Sequence, residues 1–395
     1  VYVRQSKTQN GKASLCNCSI GYRNKINLGC TLKNVNILSA FLYVISGSPC
    51  NNSYTEKHRG IKESQRVKFI LTLIFFIAIT SQSFSQQKVE WNGYLQYRFS
   101  DNYLDQTNFS VRRAKFWMFE NLPLESGDSW NYKLQAIFYQ QVKYNFLLQD
   151  VLVNYKTKGF EFTAGQFVPD FSMQRKQPDY VIPLVERSIA VNSLVPAAET
   201  MARDIGIEAK LNNNKLGSLS VGLFNGNGAN NVSKQRNFLY VNRGTLFLLN
   251  NSESKLELGY NLSYRDAKDI QFSKIFGNNY SFTGKDFRFC IEGKLNLGDF
   301  ELQSEYIEAH LGNQKAYGFY ILADYLIASK HLAAISVEQL NDLKPETSNN
   351  LWYIVSYSFL AKENDIKFTL DNRFQFSNNK TNSLTTIQLQ YFFNQ

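Results

Sequence analysis

Histidine is scarce in this 395-residue chain, with three residues, and proline (seven), cysteine (five) and methionine (three) are also few. A soluble enzyme of this length would carry more His, Pro and Gly. So few imidazoles leave little for acid–base or His-ligated metal chemistry. Cys16, Cys18, Cys30 and Cys50 all precede residue 86, and only Cys290 follows it. A Cys-x-Cys pair with two distant cysteines and His58 is not a zinc spacing, and Cys290 reads as a packed, inert thiol. After residue 86 no apolar run approaches 18 residues, which excludes membrane-spanning helices. A surplus of charge is missing there too. Residues 1–85 hold eleven basic and two acidic side chains, leaving 32 basic and 31 acidic of the chain's 43 and 33. Bulk attraction of polyanions such as nucleic acid is therefore not expected.

Aromatic residues are abundant instead: 15% of the chain, with 31 Phe and 23 Tyr. They favour strands, and membrane barrels carry girdles of them at both interfaces.

Arg66 and Lys68 precede an apolar run over residues 69–79, and Ser83-Phe84-Ser85 follows. A charged start, a short apolar core and a small-x-small site predict a secretory signal peptide over 67–85, cleaved after Ser85. No Met precedes Met118, so residues 1–66 read as a spurious or disordered upstream extension, with Val67 as a non-ATG start. A genuine N-terminal domain is the weaker alternative, since residues 1–60 show neither strand nor helix periodicity.

From residue 86 onward, alternating segments recur to the end. Leu256, Leu258, Tyr260, Leu262 and Tyr264 alternate with Lys255, Glu257, Asn261, Ser263 and Arg265. The strands predicted are 88–99, 108–119, 131–139, 146–156, 159–168, 203–211, 217–225, 236–249, 254–265, 283–297, 299–309, 315–327, 330–340, 350–360, 364–376 and 382–393. Sixteen is an even number, as bacterial single-chain barrels have. Even-to-odd connections read as short and odd-to-even ones as long, notably 169–202, 226–235, 266–282 and 341–349. Residues 120–130 are the exception, longer than the rule allows. The expectation is all-β: a 16-stranded antiparallel transmembrane β-barrel over 86–395.

Several phrases, in order, resemble the phosphate-selective porin O/P family. They are Phe109-Ser-Val-Arg-Arg-Ala-Lys115, Leu148-Gln-Asp-Val-Leu-Val-Asn-Tyr155, Phe162-Thr-Ala-Gly-Gln-Phe-Val168, Leu184-Val-Glu-Arg-Ser188, Arg203-Asp-Ile-Gly206 and Leu219-Ser-Val-Gly-Leu-Phe-Asn-Gly-Asn-Gly228. The resemblance implies a homotrimer of 16-stranded barrels in the outer membrane of a Gram-negative bacterium. It also implies a loop between strands 5 and 6 folded into the pore, here 169–202. Phosphate-selective members carry an arginine ladder and a lysine cluster. This loop has no lysine-rich run, so the family name does not fix the solute.

Arg112, Arg113 and Lys115 form the densest basic cluster after residue 86. On an unbroken strand Arg113 and Lys115 share a face and Arg112 takes the other. They are candidates for an anion step in a constriction, where a low dielectric strengthens each charge. The plainer reading pairs an arginine with an acidic neighbour across the wall. Arg175 and Lys176 are a second candidate pair, or a solvated one. Arg98, Lys133, Arg288 and Arg373, with Lys210 and Lys294, face inward, answered by Asp150, Glu208, Glu292, Glu301, Glu305, Asp324 and Asp371. Glu186 and Arg187 read as a structural pair. Gly226 and Gly228 read as a surface turn, because no helix pattern follows to cradle a phosphate. His310 and His331 fall at opposite ends of an apolar band about 25 Å tall. No catalytic group, cofactor or metal site is expected.

The functional expectation is a porin for passive diffusion of small hydrophilic solutes, anions such as phosphate included. Its partners are outer-membrane lipid and the solutes themselves. The alternative is surface binding or adhesion through long loops, without transport. A hydrolase would require His310 or His331.

Overall fold

A computed structural model describes residues 89–104, 106–138, 146–231, 237–278, 280–344, 350–362, 365–377 and 380–394. The chain divides into two units, Val1–Phe84 and Ser85–Gln395, and the described residues belong to the second. The upstream extension, the signal peptide, its cleavage site and the four early cysteines lie outside the described residues.

Sixteen strands close into one antiparallel ring in which β1 pairs with β16. They are β1 (Glu90–Asp101), β2 (Thr107–Pro123), β3 (Ser129–Phe138), β4 (Phe146–Thr157), β5 (Phe160–Phe167) and β6 (Asp204–Asn213). Then come β7 (Gly217–Phe224), β8 (Leu239–Asn250), β9 (Ser254–Gln271), β10 (Ser281–Leu297) and β11 (Phe300–Leu311). β12 (Gln314–Ile327), β13 (His331–Asn341), β14 (Asn350–Ala361), β15 (Ile366–Ser377) and β16 (Lys380–Asn394) complete the ring. Closure pairs the backbone polar groups of every strand on both sides, which a lipid surrounding demands.

The pattern of burial is inverted relative to a protein in water. Leu258, Tyr260, Leu262 and Tyr264 of β9 are each at least 36% exposed, while the intervening Asn261, Ser263 and Arg265 are at most 3% exposed. Neighbouring strands keep the same register. Ile291 of β10 lies opposite Tyr260 and Tyr306 on the outside, and Cys290 lies opposite Asn261 and Ile307 on the inside. An apolar outer face and a polar inner one suit lipid outside and water within.

One end of the barrel has only short turns: 124–128, 158–159, 214–216, 251–253, 298–299, 328–330 and 362–365. The predicted exception at 120–130 disappears, because β2 runs to Pro123 and β3 starts at Ser129. Gly127, at φ 86, lets the backbone reverse there, and its N–H donates to the Leu124 carbonyl at 3.0 Å. At the other end the links range from 312–313 to 168–203. The predicted loop over 266–282 is shorter than expected: β9 and β10 stay paired to Gln271 and Ser281, leaving 272–280 with α3 (Ser273–Phe276). The rule of long links at this end fails at Gly312-Asn313.

The 168–203 segment carries α1 (Met173–Lys176), α2 (Ile189–Leu194) and a 3-10 turn (Ala198–Thr200). Its Phe171, Ile182, Leu184, Val191, Leu194 and Val195 join Phe224, Ile307, Tyr320, Leu322 and Leu340 in one buried apolar cluster. α2 packs against β11, β12 and β13. Gly318 of β12 permits this approach: a Cβ there would meet the Gln339 carbonyl at 2.6 Å and the Ala190 Cβ at 2.8 Å. Strand carboxylates hold the segment's backbone amides. Glu292 accepts from the Met173 N–H at 3.0 Å, Glu305 from Gln174 at 2.7 Å and Glu338 from Ile189 at 2.9 Å.

Candidate functional site

β2 contains a β-bulge at the Arg-Arg pair. Gln96 of β1 pairs with Arg113 and Tyr97 with Val111, so Arg112 is the extra residue. A bulge sets two residues against one and re-aims the side chain. Arg112 and Arg113 therefore both point inward and are both buried, which corrects the opposed faces expected of an unbroken strand. β4 repeats the device: Gln135 pairs with Asp150 and Ala136 with Leu148, and the extra Gln149 is buried beside Asp150.

Three guanidiniums converge on one carboxylate of the 168–203 segment. Arg98 Nη1 and Arg112 Nη2 lie 2.7 and 2.5 Å from Glu186 Oε1, and Arg113 Nη2 lies 3.0 Å from Oε2. Arg98 also donates to Gln388 at 2.7 Å and to the Val185 carbonyl at 2.5 Å. Burial alone would raise the Glu186 carboxyl, but Arg113, Arg98 and Arg112 together hold it well below the usual carboxylate range. The expected Glu186–Arg187 pair is not formed. Arg187 turns instead to Asp179 and to the carbonyls of Gln174 and Gln177.

A second junction lies at Asp170. Arg243 reaches it at 2.9 Å, Lys210 at 3.2 Å and Lys176 at 3.9 Å, and the Ser220 hydroxyl donates at 3.0 Å. Burial opposes ionisation here too, yet Lys176, Arg243 and Lys210 keep the carboxyl well below its ordinary value. Asp150 accepts from Lys133 at 2.9 Å and Arg203 at 3.1 Å, and Lys115 lies 2.6 Å from Asp179.

Between the β1–β6 wall and the 168–203 segment lies a cavity of about 720 Å³. Lys115, Lys133, Lys156, Arg175, Lys176, Arg187, Arg203 and Lys210 line it, against Asp150, Glu161, Asp179 and Glu208. Of the predicted residues, Arg98, Arg112 and Arg113 meet at Glu186, while Lys115, Lys133, Arg175 and Lys176 line the cavity. Arg175 donates to the Met201 carbonyl. Arg373 bridges Asp371, Glu338 and the Glu186 carbonyl. Arg288 stands apart, buried between Asp286 and the carbonyls of Leu194 and Val195.

The sequence reading missed Arg243 and Arg203. Arg243 follows Leu239 and Val241 on the inward face of β8, so strand parity held the signal. Arg203 lies just before β6 and had none.

Among the described residues one group has metal-ligand spacing: Cys290, Glu292 and Glu305. Its carboxylates are already engaged. Glu292 accepts from Arg243, Asn261 and the Met173 amide, and Glu305 from Tyr320 and the Gln174 amide. The Cys290 thiol itself donates to the other Glu305 oxygen at 3.5 Å, so each of the three groups already has a hydrogen-bond partner within the protein. His310 lies 3.3 Å from Glu308 and His331 lies 2.6 Å from the Tyr357 hydroxyl, on different strands.

The sequence profile of phosphate-selective porin O and P matches residues 88–333. No curated protein matches the chain. Among solved structures, Salmonella typhi OmpF in complex with daunomycin is 12% identical, with 78% of this chain and 98% of that one covered, at a TM-score of 0.60. The trimer form of OmpT, an outer membrane protein of Vibrio cholerae, is 9% identical over 78% and 100% of the chains, at 0.57. A mutant of the Rhodopseudomonas blastica porin is 10% identical over the same shares, at 0.53. These likenesses establish the fold alone; with the profile spanning more than half of the sequence, the chain belongs to the phosphate-selective porin O and P family of outer-membrane porins.

Proposed function

We propose that this porin passes small hydrophilic solutes passively and favours anions, inorganic phosphate among them, without catalysing a reaction. The single observation behind the preference is the cavity lining, with eight cationic side chains against four acidic ones. In a confined space such an excess raises the local anion concentration. The reading takes 168–203 as the loop folded into the pore. Its support is the set of bonds to inward-facing residues of β1, β2, β9, β10, β11 and β13. Solute then follows the β1–β6 side, where the cavity lies.

The reading also includes a homotrimer in the outer membrane, and export directed by residues 67–85 with cleavage after Ser85. The adhesion alternative would use long loops such as 266–282, which strand pairing shortens to 272–280.

Reversal potentials in planar bilayers across a potassium chloride gradient test the proposal. Anion preference, reduced or inverted in Lys133→Glu, is the expected result. Well-folded protein that carries no current would end it.

A further inference from the structure

Aromatic side chains belong on the outer face of this barrel, yet five gather on the inside. Tyr94 of β1, Trp117 and Phe119 of β2 and Phe392 of β16 take inward positions, and Tyr180 of the 168–203 segment joins them. Trp117 and Tyr180 lie nearly parallel, 8° apart with centroids at 6.1 Å. Tyr180 meets Phe392 at 5.1 Å, and Tyr94 stands edge-on to Tyr180 at 5.8 Å. Tyr94, Trp117, Phe119 and Tyr180 all line the cavity, and the last three keep partial exposure.

Beside these rings and among its charged groups, the same lining carries a row of amides. Asn131 donates to Asn154 at 3.1 Å, and Asn154 donates to Thr163 at 2.8 Å. Asn121 follows Phe119 at the next inward position of β2. Each such amide offers both donors and an acceptor.

Anchoring the 168–203 segment explains part of this cluster, since Tyr180 sits between Trp117 and Phe392. It does not explain Phe119, which lines the cavity and makes no ring contact among the described residues. A small inorganic anion gains nothing from an apolar ring face. A solute with a flat C–H face and a rim of hydroxyls gains from both: rings cover the face, and amides and carboxylates take the hydroxyls.

We propose that the Trp117–Phe119 face and the Asn131–Asn154 ladder form a binding step for neutral pyranose sugars on the solute path. The inference rests on the porin reading for the route and adds a solute class to it. The cavity volume falls within the roughly 300–1,000 Å³ of small-molecule sites.

The test is calorimetric titration of maltotriose into the full-length protein purified in a sugar-free detergent, paired with current blockade by maltotriose in planar bilayers. Saturable binding is expected. Trp117→Ala and Phe119→Ala each weaken it roughly tenfold, the scale of one lost aromatic contact. Trp91→Ala, on the outward face, leaves it unchanged. Phe119→Ala is decisive, because Trp117→Ala also removes a ring that packs on Tyr180. No saturable binding, undiminished binding by Phe119→Ala, or equal displacement by inorganic phosphate overturns the proposal. Conductance without sugar binding sinks this inference alone. Sugar binding without conductance supports the site and sinks the porin reading.

Discussion

Glu186 neutralises one of three guanidiniums supplied by two strands, so the cluster keeps a net positive charge even when occupied. The segment's own carboxylate thus sits where a permeating anion would be attracted. Glu186→Gln keeps the shape and removes the charge. The expected outcome is a rise in the anion-to-cation permeability ratio of roughly two- to fivefold, read from reversal potentials. The same change weakens the hold on the segment, since breaking a buried ion pair costs about 3–5 kcal/mol. More open-channel noise should therefore accompany the selectivity shift. A selectivity shift without added noise would argue against Glu186 as an anchor.

Acid acts on the same contact. Folded Glu186 titrates below its unfolded value, so its stabilisation is complete above about pH 4.3 and fades as pH falls through the folded value. Asp170 has the same sign and anchors the other end of the segment. Channel noise should stay flat from pH 7 to about 4 and rise only below that. A rise near neutrality would mean that the strand carboxylates Glu292, Glu305 and Glu338, rather than Glu186 and Asp170, control the hold on the segment.

At the scale of elements, the contact between α2 and β12 depends on the missing side chain of Gly318. Gly318→Val forces the Gln339 carbonyl or Ala190 to move. Overpacking of this kind costs about 1–3 kcal/mol. Limited proteolysis within 168–203 should become faster while the sheet signal in circular dichroism persists. An unchanged cleavage rate would show that α2 is not held by this packing.

Elements also mark where sequence reading succeeded. All sixteen strands were legible, because lipid outside and water inside impose a period of two on every one. The inward position of Arg112 was not, since one bulge breaks the parity that the alternation rule assumes. Glu186 was unreadable as a partner of Arg98, Arg112 and Arg113, which lie 73 to 88 residues away. α1 and α2 were missed because four and six residues are too few for a helical period to register.

For the whole molecule, lipid acts as the outer solvent, and the two faces of one strand should answer differently to the same charge. Ile291 and Glu292 are adjacent on β10, one outward and one inward. Ile291→Lys places an ammonium against hydrocarbon, at a cost of about 2–4 kcal/mol near the midplane. Urea unfolding in lipid vesicles should show that loss. No shift in the midpoint would mean that residue 291 does not face lipid.

The seam between β1 and β16 joins opposite ends of the barrel sequence, Asn92 beside Asn394 and Gly93 beside Phe393. Fifteen strands without the last would present two bare edges, each a template for pairing with another molecule. The wall is complete only once β16 has paired with β1. A cell that makes the chain must therefore keep both edges from pairing elsewhere until the final strand is available to shut the wall.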